Sequence, residues 1–265
     1  MRFRVPLLLL ALVSAFLPLA AQQSSPTSLQ GAQLLQQAVN ALVAQQTITD
    51  VTLSGTARRI AGSNDETGTV AFKALSTGAA RSDFSYPSGP LSEIREDFSA
   101  GPLGAWSGPD GASHPIAFHN LANRSSIFPV FALTNLSATQ NFVVTLLGEE
   151  TKAGHSVYHL SALQQFPQMS SNRAALAQHL TQIDFFVDAA TFLPVAFDFN
   201  IHPDDDAGLD IPVELLFSDY RTISGIQIPF HIQRFLNNGL ILDLQIQNAA
   251  INSGLLASQF TVQAQ

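Results

Sequence analysis

Residues 217–236, FSDYRTISGIQIPFHIQRFL, decide how the chain is read. From Ile226 the even positions Ile226, Ile228, Phe230 and Ile232 are apolar, while Gln227, Pro229, His231 and Gln233 between them are polar or small-ringed. Successive side chains of a strand point to opposite faces, so this alternation marks a half-buried β-strand. One face meets water. The other needs a cover, made either of the protein's own side chains or of something it carries.

The same period extends in both directions. Upstream, IDFFVDAATFLPVAFDFN (183–200) reads as two strands about an Asp-Ala-Ala-Thr turn, with Ile183, Phe185 and Val187 set against Leu193, Val195, Phe197 and Phe199. IPVELLFSDY leads into the opening stretch, and LILDLQIQNA follows it with Leu240, Leu242, Leu244 and Ile246 on one side. Nearer the N-terminus, DVTLSGTARRI, ETGTVAFKAL, GAARSDFSYP, LSEIREDF, LGAWSGPDG and SHPIAFH are short segments parted by Gly, Pro, Asn and Asp, the punctuation of an antiparallel meander. SGPDGAS (107–113) is the clearest turn among them. NFVVTLLGEE and HSVYHLSAL open a second meander. About eleven strands are expected, more than a flat open sheet holds without curling.

Three segments depart from period 2. Leu35, Ala38, Val39, Leu42 and Val43 form one stripe of an amphipathic helix over 29–46. Residues 119–136, HNLANRSSIFPVFALTNL, crowd Phe128, Val130, Phe131 and Leu133 around Pro129 and predict short helical turns or an apolar flap. QMSSNRAALAQHL reads as a short helix started by Ser170 or Ser171. The expected class is mainly β with α (α+β): a strongly curved antiparallel sheet, an incomplete β-barrel, with helices on its concave face.

Composition bounds the function. Arg2 and Arg4, the run VPLLLLALVSAFLPLA and Ala20-Ala21 form a signal peptide over 1–22, followed by a linker at 23–28 and one domain over 29–265. A periplasmic or secreted protein is expected. The formal charge of −8 becomes −10 when Arg2 and Arg4 leave with a leader that holds no acid. An acidic surface argues against nucleic acid or an anionic membrane as a partner. There is no cysteine, hence no disulfide, thiolate metal site or lipidated N-terminal cysteine. Phe occurs 19 times against one Trp and three Tyr, which suits a large β core or a Phe-lined cavity.

The order of these elements, and above all the closing run FFVDAATFLPVAFDF…LFSDYRTISGIQIPFHI…INSGLLASQF, resembles the LolA/LolB-like periplasmic lipoprotein-carrier superfamily. The resemblance covers most of 29–262 in element order, with its sequence content mainly in 183–262. It implies a half-barrel whose helix-covered concave side holds acyl chains and is faced by Ile226, Ile228, Phe230 and Ile232. Neither Arg58-Arg59 nor Arg81 sits in a motif that places the carriers' lid-latching arginine, so the expectation is a general lipid or acyl-chain binder for envelope transport or sensing. Phe128, Phe131, Phe185, Val195, Phe197, Ile226, Ile228, Phe230, Leu242 and Leu244 are the candidates for its apolar groove. The alternative is a structural or protein-interaction module of the envelope with a packed core, for which Pro212 and Pro229 would mark strand edges. A monomer without cofactor is expected in either case.

Catalytic and metal chemistry find little support in the linear motifs. The chain has no G-x-S-x-G elbow, no H-E-x-x-H and no phosphate loop, and no enzymatic activity is expected. His155 and His159 in a strand stand about 13 Å apart, too far for one metal. The loop HPDDDAGLD (202–210) lacks the EF-hand spacing and reads as a solvated connection.

Overall fold

The structure, a computed structural model, describes residues 26–97, 101–139 and 141–262. The leader read over 1–22 lies outside the described residues. The first helix, α1 (Pro26–Val43), begins inside the stretch read as linker, because proline's fixed φ and missing N–H suit a first turn. It stops three residues short of the expected end, where Ala44 and Gln45 take positive φ. Its apolar stripe, Leu34, Leu35, Ala38, Val39, Leu42 and Val43, is buried.

Thirteen strands follow: β1 (Asp50–Ala61), β2 (Asn64–Leu75), β3 (Ala80–Tyr86), β4 (Gly89–Glu96), β5 (Leu103–Ser107), β6 (Ser113–Pro115), β7 (Phe142–Lys152), β8 (His155–Gln164), β9 (Ile183–Asp188), β10 (Pro194–Ile201), β11 (Ile211–Ile223), β12 (Ile226–Leu236) and β13 (Gly239–Ile251). The count exceeds the expected eleven by two, and the segments LGAWSGPDG and SHPIAFH give only the short edge strands β5 and β6, of five and three residues. Their turn is the one the sequence marks, with the Gly111 N–H donating to the Gly108 carbonyl at 3.0 Å.

All thirteen strands form one open antiparallel sheet in the order β6-β5-β4-β3-β2-β1-β13-β12-β11-β10-β9-β8-β7. The two meanders meet where β1 pairs with β13. β6 and β7 are the free edges, and the chain crosses between them through 3-10 turns at Phe118–Asn120 and Arg124–Ile127 and through α2 (Pro129–Ala138). The third helix, α3 (Ser171–Thr181), starts after Ser170 as its sequence suggests.

Pro212 and Pro229 do not mark edges. Both lie in strands paired on two sides, but each is itself paired on one side only: Pro212 opposite Asn200 of β10, and Pro229 opposite Tyr220 of β11, short of where β12 begins to pair with β13. Such positions tolerate a residue with no N–H to donate.

α1 and α2 pack on the inner face of the sheet, and α1 spans it from β7 to β12. A Cβ on Gly31 would come within 2.5 Å of the Val144 carbonyl oxygen, so α1 rests directly on the β7 backbone and only glycine fits there. Ile226, Ile228, Phe230 and Ile232 are buried in this core with Phe128, Phe131 and Leu133. Their cover is therefore the protein's own helices. A smaller apolar cluster, Val157, Phe186, Val195 and Ala196, lies on the opposite face of the sheet. Val195 belongs to it because the β9–β10 register shifts between Pro194 and Ala196, which corrects the expected alignment of Val195 with Phe197.

The residues that carry the family resemblance build this frame. The Tyr220 hydroxyl donates to the Pro194 carbonyl at 2.9 Å, and Arg221 pairs with Asp219 while lying 4.3 Å over the Phe230 ring. In the closing INSG, Asn252 accepts from the Thr49 N–H and donates to the Thr47 carbonyl, and Ser253 and Gly254 donate to Asp50.

Candidate ligand-binding cavity

Part of the inner face is lined by neither α1 nor α2. Towards the far ends of the strands, a cavity of about 350 Å³ lies between Phe84, Tyr86 and Leu91 of β3 and β4 and Phe199, Leu215 and Leu242 of β10, β11 and β13. Ile127 of the crossing segment lies over it. The alternation that buries even positions of β3 also turns Ser82 into this space, and a small side chain there leaves room that a larger one would fill. The volume falls in the range of small-molecule sites. Other hollows differ in character: the one beneath Lys152 is lined by Asp184, Asp198 and Glu214 and is polar.

Polar groups share the lining with the apolar walls: Arg59, Glu93 and Arg234 are charged, and Ser92, Ser107 and Asn123 stand beside them. Arg59 pairs with Glu66 at 3.3 Å, and Glu66 also accepts from the Ser88 N–H and hydroxyl. Ser92 and Ser107 are hydrogen-bonded to each other at 2.8 Å. The Tyr86 hydroxyl is buried without a hydrogen-bond partner, and its ring stacks on Phe84. Burial pushes the phenol up to about 12, only partly offset by Arg59, so it stays a neutral donor near pH 7. A buried donor lacking an acceptor invites one from a ligand.

The residues expected to line a groove sit elsewhere. Phe128, Phe131, Phe185, Phe197, Ile226, Ile228, Phe230 and Leu244 are core residues that do not line the cavity. Phe128 and Phe131 meet edge to face at 4.9 Å, as do Phe197 and Phe217. Val195 packs on the other side of the sheet, and Leu242 alone of the ten borders the cavity. Phe84, Tyr86, Leu91 and Leu215 were legible as inward-facing strand positions but gave no signal that helices would leave them uncovered.

The outer face holds polar pairs. His155 bonds to Asp188 at 2.9 Å and His159 lies against Glu150 at 3.1 Å, so each imidazole has its own carboxylate and the two share no metal site. Ser218, His231 and Asp243 do form a chain across β11, β12 and β13, with Ser218 Oγ 3.1 Å from His231 Nδ1 and His231 Nε2 2.9 Å from Asp243. A hydrolytic triad also needs donors aimed at a developing oxyanion and a bound substrate. None of the three residues lines the cavity, the polar hollow, or the hollows beside Gly78 and over Gly55.

No protein-family model matches the sequence, and no curated relative matches it. Solved structures do match in fold. A LolA superfamily protein from Nitrosomonas europaea aligns at TM-score 0.55 with 13% identity over 88% of this chain and 97% of its own. A DUF1329 family protein from Desulfovibrio piger aligns at 0.56 with 15% identity over 89% and 97%. A domain from Vibrio parahaemolyticus described as outer membrane lipoprotein-sorting aligns at 0.55 with 14% identity over 88% and 97%. The chain is thus LolA-like in fold. Among the described residues no helix is long and apolar enough to cross a membrane.

Proposed function

We propose that this LolA-like chain is a non-enzymatic binding protein of the bacterial envelope that is exported by its leader and holds an acyl chain in the cavity between β3–β4 and β10–β13. The observation that carries the reading is the cavity itself: about 350 Å³ of inner face left uncovered by α1 and α2, walled by Phe84, Leu91, Phe199, Leu215 and Leu242. Its mechanism is burial. Each methylene moved from water into such a site gains about 0.8 kcal/mol, and no bond is made or broken. The Tyr86 hydroxyl and the Arg59 guanidinium supply donors for an oxygen-rich head group at the same wall.

Native mass spectrometry of residues 23–265, purified gently from a bacterial periplasm, tests this. Retained mass that dissociates as acyl species supports the reading. A bare polypeptide, together with no displacement of an apolar dye by added lipid, supports the interaction module instead. That second reading draws on the eight groove candidates packed into the core and on the free edge β7, where Val143 and Leu147 are exposed. Hydrolysis of a nitrophenyl acyl ester is expected to be no faster with the native chain than with Ser218→Ala.

A further inference from the structure

The loop HPDDDAGLD is bracketed by two residues that the fold returns to one place. His202 follows β10, Asp210 precedes β11, and α3 sets His179 beside both. His179 Nε2 lies 2.7 Å from Asp210 Oδ1, and His202 Nδ1 lies 3.5 Å from the same oxygen. One donor atom from each residue lies within 4.8 Å of the other two, the single such group of His, Cys, Asp or Glu among the described residues. The acids between them are not gathered: Asp204, Asp205 and Asp206 are exposed, and Asp206 accepts from the Gly208 N–H within its own turn.

An ordinary ion pair accounts for His179 and Asp210 but not for His202. The His202 side chain is 1% exposed. Its backbone is pinned by Asn120, which accepts from the His202 N–H at 2.9 Å and donates to its carbonyl at 2.8 Å. His202 Nδ1 lies 3.2 Å from the Leu209 carbonyl, whereas Nε2 is buried with no hydrogen-bond partner. A neutral imidazole has one N–H and one lone pair. With hydrogen on Nδ1, the Leu209 carbonyl takes it and the Nε2 lone pair is stranded. With hydrogen on Nε2, that donor is stranded and the Nδ1 lone pair faces the Leu209 and Asp210 oxygens. A cation beside Asp210 accepts the Nδ1 lone pair and so relieves the second arrangement, in which that lone pair otherwise faces only oxygens.

We propose that His179, His202 and Asp210 form a site for one divalent transition cation of the zinc class. Tetrahedral zinc with ligands at about 2.0–2.2 Å sets its donors about 3.3 Å apart, and the two separations from Asp210, 2.7 and 3.5 Å, bracket that value. Two imidazole nitrogens and one carboxylate select zinc and its neighbours over calcium and magnesium, which prefer oxygen donors. Three protein ligands leave a fourth position for water. The site clamps α3, none of whose residues is buried, to the β10–β11 loop.

The test uses tag-free, chelator-treated residues 23–265 and Zn²⁺ alone, read by calorimetric titration and thermal melting, with Ca²⁺ as comparison. Expected are one equivalent of Zn²⁺ bound and a melting rise of about 5–10 °C at a hundredfold excess over Kd, without a Ca²⁺ effect. His179→Ala and Asp210→Asn, both at partly exposed positions, should melt near the native temperature without metal and bind Zn²⁺ more than about tenfold more weakly. No Zn²⁺ binding by the native chain overturns the proposal, as does equal binding by folded His179→Ala and Asp210→Asn.

Discussion

Ser82→Phe is the substitution that most directly opposes the cavity to the packed core as the place where a ligand sits. At roughly 30 Å³ per water-sized group, about 350 Å³ admits on the order of a dozen methylene-sized units, about one chain of medium length. Burying ten of them gains about 8 kcal/mol, and ordering and desolvation remove at least about 4, leaving a dissociation constant of roughly 1 mM at best before head-group contacts add. A phenyl ring on Ser82 displaces about five units, or about 4 kcal/mol, close to a thousandfold in affinity. Stability should hold or rise, because the ring fills space that is empty of protein. Phe131→Ala should do the reverse. It removes a buried ring that meets Phe128, costs about 3–5 kcal/mol and lowers the melting temperature by roughly 6–20 °C, while the folded fraction binds as before. Titration of both variants with a fluorescent fatty acid, alongside thermal melts, separates the cases. Undiminished binding by folded Ser82→Phe, or lost binding by folded Phe131→Ala, would refute this reasoning and return the site to the groove read from the sequence.

Tyr86→Phe removes a hydroxyl with no partner, so stability should stay level or improve while affinity for a carboxylate-headed chain falls up to about tenfold; an unchanged affinity would show that the head group lies elsewhere. Burial alone pushes the Asp50 carboxyl up, but hydrogen bonds from Ser253, Gly254 and Thr49 outweigh it and hold the group below the ordinary aspartate value. Its contribution is therefore present above the unfolded pKa and lost as pH falls through the folded one. Asp50→Asn should melt about 2–12 °C below native near pH 6, from about 1–3 kcal/mol, with the gap narrowing as pH falls through the lowered carboxyl pKa; a gap independent of pH contradicts the assignment. On the outer face Lys152 holds Asp198 at 2.8 Å and Glu214 at 2.6 Å, and burial pushes Asp198 up despite that cation. A raised carboxyl loses stability as pH rises through its folded pKa, and Lys152→Met deepens the loss. A deficit of about 1–2 kcal/mol near pH 7, moderated by partial solvent exposure and shrinking below pH 4, is the expected melt result; equal deficits at both pH values count against it.

The strands were legible because period 2 is local: the alternation Ile226, Ile228, Phe230, Ile232 needs no tertiary information, and all four residues face inward. The misplacement of Val195 has an equally local cause that sequence hides, since one shifted register turns a residue to the other face without altering composition. The cavity was illegible for another reason. Phe128 and Phe131 look like a flap over a groove, yet whether an apolar stripe covers or uncovers a sheet depends on where α1 and α2 come to rest along it. The three ligands of the proposed cation site lay in plain view, but His179 reaches His202 and Asp210 only through α3, and no linear spacing signals that return.

The strand order also implies how the sheet assembles. Every pairing but one joins strands adjacent in the chain, so each arm can form from neighbouring segments, and hairpins close within microseconds. The exception is β1 with β13, where Thr49 lies 203 residues from the Asn252 that holds it. At Gly55 the two backbones approach so closely that a Cβ would stand 2.0 Å from the Gln245 carbonyl oxygen. This suture is the high-contact-order step, set late and opened first. Substitutions along it are thus expected to act mainly on the unfolding rate.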